Sequence, residues 1–178
     1  MPDATGLELI AHELRERFEG SVAGTDYYRD TATLIAEPGK VIDVLRWLRD
    51  EPGQQYSFLA SVHGADYLPA EPRFGIHYEL LNMERVERLH VKTLLQDPGA
   101  PELPEIDSCV ELFPTAEFQE REIYDMFGVR FRGHPDMRRI LMPEDYDGHP
   151  QRRDFPIGGE PVLFTHNEHE TPRWYETR

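Results

Sequence analysis

The chain is poor in cysteine: Cys109 stands alone among 178 residues. A lone thiol excludes an internal disulfide and points to a reducing compartment. With no Cys-x-x-Cys pair, the chain by itself can build neither an Fe–S cluster nor a cysteine-type zinc site. Long apolar runs are missing too. Nothing approaches the ~18–20 residues of a membrane span, so direct membrane insertion is not expected. Met1–Gly6 is polar, unlike a secretory leader. Positive charge is scarce, with 19 Lys and Arg against 34 Asp and Glu and a net charge of −15. That balance argues against a nucleic-acid partner and against an anionic lipid surface as a direct ligand. There is no Gly-rich phosphate loop and no dinucleotide fingerprint, and Gly158-Gly159 lacks a strand-to-helix context and reads as a turn.

What is present suffices for one domain with a proper core. Thr5-Gly6-Leu7-Glu8 has the capping-box pattern, and Leu7, Ile10, Leu14 and Phe18 follow at helical spacing, predicting a helix over about 6–19. Tyr27–Ala36 reads as a strand. Pro38 opens a helix whose apolar face is Val41, Ile42, Val44, Leu45 and Leu48, and Glu51-Pro52-Gly53 stops it. Tyr56–Tyr67 is ambiguous, with Phe58, Leu59 and Val62 favouring a strand. Arg73–Leu81 and Arg88–Leu95 alternate as strands, and their short link predicts an antiparallel hairpin. Ser108-x-x-Glu111 suggests a short helical turn over 107–113. The end of the chain, from Val162, is polar and low in apolar content, and His166–Glu170 is expected to be exposed and mobile. The order predicts an α+β fold: a two-layer domain with an about four-stranded, mixed or antiparallel sheet and helices packed on one face. That core occupies 1–127, and an extended Arg- and Pro-rich docking arm with a polar tail occupies 128–178.

The densest stretch is Glu117–Pro156. Its first part predicts a helix with Thr115 as N-cap and Gly128 as C-terminal stop. On a helical wheel Ala116, Ile123, Tyr124 and Phe127 share one side with Glu120, while Phe118, Arg121, Glu122 and Asp125 take the other. A carboxylate on an apolar stripe needs a partner, and Arg138, Arg139, Arg152 or Arg153, folding back, is expected to pair with Glu120. Two Gly-His-Pro triplets, Gly133–Pro135 and Gly148–Pro150, are each followed by an Arg pair. Pro143, Pro150 and Pro156 forbid a continuous helix. Between Gly128 and Arg153 six Arg face four acids, a net of +2, which leaves −15 − 2 = −17 for the rest. A solvated loop explains that contrast, and so does an arm that docks on an acidic or polar surface.

Other chemistry-bearing residues read as structural. His166 and His169 fall in the polar tail. His134 and His149, each between Gly and Pro, suit hydrogen-bonding roles better than metal ligation. His63 with Asp66 is conceivable as an acid–base pair, but the bland reading is a turn with Asp66 as a local cap. Cys109 lies among Glu105, Asp107 and Glu111, which raises a thiol pKa, and reads as a buried structural residue.

Within the dense stretch, Glu120-Arg121-Glu122, Asp125, Gly128, Gly133-His134-Pro135, Arg138 to Leu141, Pro143-Glu144-Asp145, Gly148-His149-Pro150, Arg153 and Asp154-Phe155-Pro156 form one gapless signature. It resembles the C subunit of the proton-pumping NADH:quinone oxidoreductase, respiratory complex I. Phe118 stands where the family often has Trp, and Asp136-Met137-Arg138 where it often has Asp-Leu-Arg. The resemblance implies an accessory subunit of the peripheral arm on the cytoplasmic side of the bacterial plasma membrane. It implies no cofactor or metal in this chain and no catalytic residue. FMN and Fe–S clusters are expected in neighbours, and NADH and quinone are bound by the complex. The D subunit is the expected main partner, with the B and I subunits nearby. The residues expected to dock on partners or anchor the arm are Glu120, Arg121, Glu122, Asp125, His134, Pro135, Arg138, Arg139, His149, Pro150, Arg152 and Arg153. The rival readings are the equivalent subunit of a membrane-bound hydrogenase or formate hydrogenlyase and, from another class, a freestanding enzyme using His63, Asp66, His134 or His149.

Overall fold

The computed structural model describes residues 2–156. In chain order these form α1 (Ala4–Arg17), β1 (Val22–Tyr28), β2 (Thr31–Ala36), α2 (Val41–Asp50), β3 (Phe58–Asp66), β4 (Phe74–Asn82), β5 (Glu87–Leu95), β6 (Glu105–Asp107), α3 (Ala116–Phe127) and β7 (Arg130–Arg132). The polar tail, including Gly158-Gly159, His166 and His169, lies outside the described residues.

The main sheet has five strands in the order β1-β2-β5-β4-β3. β2 and β5 run parallel, and the other neighbours are antiparallel. The fold is α+β, as expected, with one strand more than expected. Tyr27–Ala36 is not one strand but the second half of a hairpin: β1 and β2 turn at Arg29 and Asp30, whose φ values are +47° and +62°. Two successive positive φ values give the turn twist that tight hairpins need. Arg-Asp is a rare dipeptide for that geometry, and β1 is polar, so no pattern marks it.

Period-two alternation puts Phe74, Ile76, Tyr78 and Leu80 of β4 on one face, each at most 1% exposed. Register aligns Val91 with both Tyr78 and Leu34, extending that face over three strands. Leu7, Ile10 and Leu14 of α1 and Val41, Val44, Leu45 and Leu48 of α2 complete the core. Burying each such aliphatic side chain contributes about 1.5–3 kcal/mol. The helices cover the same face. Glu8 of α1 takes a hydrogen bond from Thr25, which is in register with Leu34. Gly64, in register with Ile76, lies under Ile123 and Phe127 of α3, and a Cβ there would sit 2.9 Å from the Phe127 ring.

Three local expectations are corrected. Thr5 does not cap α1; Asp3 does, its Oδ1 accepting the Gly6 N–H at 2.7 Å, because the helix already begins at Ala4. Thr115 precedes α3 without a side-chain cap, while Gly128 ends it in the left-handed region at φ +73°, as expected. Residues 107–113 form no regular helix: β6 runs to Asp107, and the expected turn is a single one in which Cys109 O accepts the Leu112 and Phe113 N–H groups at 2.9 and 2.8 Å. β6 pairs in parallel with β7, Ile106 against Phe131, so β6, α3 and β7 form a small unit beside the main sheet. No helix among the described residues is long and apolar enough to cross a membrane.

Candidate functional site

An α-helix leaves its last four carbonyls without helical partners. In α3 all four are satisfied, three of them by the segment that follows β7. Gly128 N–H donates to Tyr124 O at 2.9 Å. His149 Nδ1 meets Asp125 O at 3.0 Å, Gln151 N–H donates to Met126 O at 3.1 Å, and Arg152 Nε donates to Phe127 O at 2.6 Å. The arm is therefore the C-terminal cap of α3. A Cβ at Gly128 would sit 2.5 Å from the His149 ring, so glycine is required there for approach as well as for its positive φ. Arg152 also stacks over Phe74, 5.0 Å from the ring centroid.

One turn earlier, Asp125 holds the near end of the arm. It is fully buried. Its Oδ1 accepts from Arg139 Nη1 at 2.6 Å, and its Oδ2 accepts the N–H groups of Ile140, Leu141 and Met142 at 3.1, 2.7 and 2.8 Å. Burial alone would raise this carboxyl, but the three amides and the guanidinium outweigh it and hold it below its usual range. Arg139 uses its other end on Tyr146 O and Gly148 O, both at 2.9 Å, so one side chain ties two carbonyls of the arm to α3. The helical wheel sets Asp125 on the outer side of α3. That side is outer only to the core, and the arm covers it.

Arg121 donates to Arg138 O at 3.1 Å and Arg139 O at 3.0 Å. His134 Nε2 donates to Glu117 O at 2.9 Å, while its Nδ1 accepts the Asp136 N–H at 3.0 Å, so the two contacts orient the ring. Arg138 pairs with Asp136 and stays 61% exposed. Pro135 and Glu122 are exposed, and Pro150 is half-buried.

Glu120 does not meet an arginine. It is fully buried, and its carboxyl accepts from Ser108 Oγ at 2.6 Å and from the Cys109 N–H at 2.8 Å. Burial pushes its pKa up, against the pull of those two donors. Ser108 thus serves Glu120 while its Oγ also accepts the Val110 N–H at 3.2 Å, at the start of the turn over 109–113. Burial, with Glu120 beside it, also raises the Cys109 thiol, which is fully buried.

The far end of the arm closes on a residue that sequence reasoning does not single out. Arg73 is 5% exposed and sits among three carboxylates. It pairs bidentately with Asp66 at 3.0 and 2.8 Å and with Asp154 at 3.0 and 2.6 Å, and it reaches Asp97 at 2.7 Å. Arg153 adds its own N–H to Asp66 at 2.8 Å and its guanidinium to Leu68 O at 2.6 Å. Burial would raise the Asp66 carboxyl, but Arg73 and the Leu68 and Arg153 amides bring it down to about 2. An arginine just after Pro72 and directly before an apolar strand is the available signal, since a buried guanidinium requires carboxylates.

Asp66 is thus committed to Arg73, and it does not pair with His63. His63 meets Ser61 and stacks on His77 on the sheet face opposite the helices. His77 stacks in turn on His90, with centroids 4.9 Å apart. A hydrogen-bonded chain crosses the strands: Tyr67 Oη to His77 Nε2 at 2.8 Å, His77 Nδ1 to His90 Nε2 at 2.7 Å, and His90 Nδ1 to Thr33 Oγ1 at 3.0 Å. Burial first, then the charge of neighbours such as Lys92, lowers His77 to about 3, and burial lowers His90 as well; between two neutral rings the chain's protons all point one way or all the other. Among the described residues no three His, Cys, Asp or Glu side chains are arranged to hold a metal ion.

Known proteins resemble this chain over most of its length. The family model for the 30 kDa subunit of respiratory-chain NADH dehydrogenase matches residues 34–161. The C subunit of NADH-quinone oxidoreductase from Roseiflexus castenholzii is 41% identical over 159 residues, covering 89% of each chain. The C subunit from Herpetosiphon aurantiacus is 52% identical over 124 residues, 68% of this chain and 69% of the relative. Among solved structures, a chain of the membrane-bound sulfane sulfur reductase, an archaeal respiratory membrane complex, superposes with a TM-score of 0.66 at 24% identity, over 84% of this chain and 85% of its own. That last likeness is one of fold alone.

Proposed function

The chain belongs to the family of the 30 kDa subunit of respiratory-chain NADH dehydrogenase, and from that premise we propose that it is the accessory C subunit of a bacterial NADH-quinone oxidoreductase. In this reading it carries no redox group. It supports electron transfer from NADH to quinone, and the coupled proton translocation, by holding cofactor-bearing neighbours in place. FMN and Fe–S clusters belong to those neighbours. The D subunit is the main partner and the B and I subunits are the others, with the assembly peripheral on the cytoplasmic side of the plasma membrane.

The observation that carries the reading is the arm's fixed path. It caps α3, is clamped at Asp125 by Arg139 and is closed at Arg73 by Asp154. A strap held this firmly loses little further entropy on docking. Arg139 and Arg152 act as inner anchors, and the exposed Arg138 and Arg153 face partners. Arginine suits both tasks through its rigid, multi-donor fork.

The test is affinity purification of the tagged chain from gently solubilised membranes, with an NADH:quinone assay and identification of the co-purifying chains. Recovery with flavin, Fe–S and membrane subunits and that activity is expected. Hydrogenase-type partners would move the chain to a sister complex. A lone chain that turns over a substrate would overturn the reading and put His63, His134 and His149 forward.

A further inference from the structure

Asp125, Arg121 and Phe118 lie on one line of α3, at spacings of four and three residues, so they form a row about 10 Å long on the side away from the core. The arm crosses this row. Ile140 and Leu141 are fixed over Asp125 by their amides, and the carbonyls of Arg138 and Arg139 are fixed over Arg121. Because Asp125 takes these backbone N–H groups, the side chains of this segment are left outward. Leu141 is 60% exposed, Ile140 36% and Phe118, at the start of the row, 61%. Among the described residues, three of the nine large exposed apolar side chains thus lie along this one row. The other six (Leu9, Tyr27, Tyr28, Phe58, Met83 and Val86) lie in α1, β1, β3 and the β4–β5 turn.

The charge at this place is unlike that of the rest of the chain. The Arg121 guanidinium lies beside the Phe118 ring, 5.9 Å from its centroid, and is held only by carbonyls. Among the described residues no carboxylate lies within 4.0 Å of it, which leaves a full positive charge in an apolar rim. Arg138 stands next to it, exposed and shared with Asp136. The whole molecule carries −15.

We propose that Phe118, Ile140 and Leu141, with Arg121 and Arg138, form the docking surface for a neighbouring protein subunit that presents an apolar contact flanked by Asp or Glu. The proposal rests on the subunit reading above and names where, and to what chemistry, the arm docks. Aromatic and arginine anchors beside an exposed aliphatic pair are the composition of an interface centre, and Arg121, which meets no carboxylate among the described residues, sets the sign of the partner's charge. A second copy of this chain fits poorly, because a two-fold contact would set two cationic patches against each other. An anionic lipid surface would repel the molecule as a whole.

The experiment uses the full chain in its native membrane complex. Phe118→Asp with Leu141→Asp is compared with Leu9→Asp and Val86→Asp, at positions at least as exposed elsewhere. The double variant should keep the wild-type melting temperature as a purified chain yet lower the recovered complex by at least about tenfold. The two controls should stay within about twofold of wild type. Wild-type recovery should also fall with rising salt more steeply than that of Arg121→Met. A photo-crosslinker at position 141 should join a co-subunit at an apolar segment bearing Asp or Glu. A double variant that assembles like wild type, while wild type does assemble, overturns this surface and leaves the subunit reading intact. A crosslink to lipid, to a second copy or to a basic segment overturns it as well. Failure of wild type itself to co-purify overturns the subunit reading.

Discussion

Glu120 and Asp125 sit five residues apart on one helix, both fully buried, and their pKa values are displaced in opposite directions. Glu120 faces the loop after β6 and receives one hydroxyl and one amide. Asp125 faces the arm and receives one guanidinium and three amides. Burial disfavours both charges, so the donors decide the sign. Two neutral donors leave Glu120 above its usual range. Three amides with a cation bring Asp125 below its own. A buried carboxyl therefore need not meet an arginine; the number and charge of its donors set which form the site favours.

The largest expected effect is at Asp125. Asp125→Ala strands the buried Arg139 and three N–H groups, and should cost about 3–5 kcal/mol. Urea denaturation measures it, and limited proteolysis should show cleavage within 133–156 before the core unfolds. Uniform loss of the whole domain would mean that the arm and core are one cooperative unit. Arg139→Lys comes next, at about 1–3 kcal/mol, because one ammonium cannot span Asp125, Tyr146 O and Gly148 O together. Glu120→Gln should cost less than about 1 kcal/mol at neutral pH, since a neutral amide can replace a carboxyl that burial already pushes towards its neutral form. A cost as large as that of Asp125→Ala would erase the contrast.

The smallest effect is in pH dependence, and its signs are opposite. Asp125, lowered from 3.8, contributes stability that is present above that value and lost as pH falls through the folded pKa. Glu120, raised from 4.5, contributes stability that is full below that value and lost as pH rises through its folded pKa. Denaturation series across acid pH should therefore show the acid loss flattened in Asp125→Asn and the loss above pH 4.5 flattened in Glu120→Gln. Parallel profiles for the two variants would contradict the assignment of donors.

Much of this is legible in the chain. Helix α3 with its Gly128 stop, the hairpin of β4 and β5 and the α+β order follow from periodicity and punctuation. The signature from Glu120 to Pro156 carries the family. The misses have physical reasons. A helical wheel separates core from not-core, and the face bearing Asp125 is covered by chain laid down later. Arg73 reads only as the start of a strand, because its three carboxylates come from positions 66, 97 and 154. His63, His77 and His90 belong to three strands, and only the register between them makes one row. The β1–β2 turn uses Arg29 and Asp30 in a conformation that composition does not announce.

The parallel pairing of β2 with β5 sets an order in time. The β1–β2 hairpin leaves the ribosome first, but its inner edge belongs against β5, and fifty residues separate Ala36 from Glu87. At about 5–20 residues per second, the hairpin waits roughly 3–10 s for its partner strand to be made. During that interval Leu34 and Ala36 have no sheet to join, and the backbone edge of β2 is open to any passing strand. Residues 58–95, by contrast, can zip as a local meander as soon as they emerge. In this reading the last-made part of the sheet is the template, and the first-made part is the piece that is added.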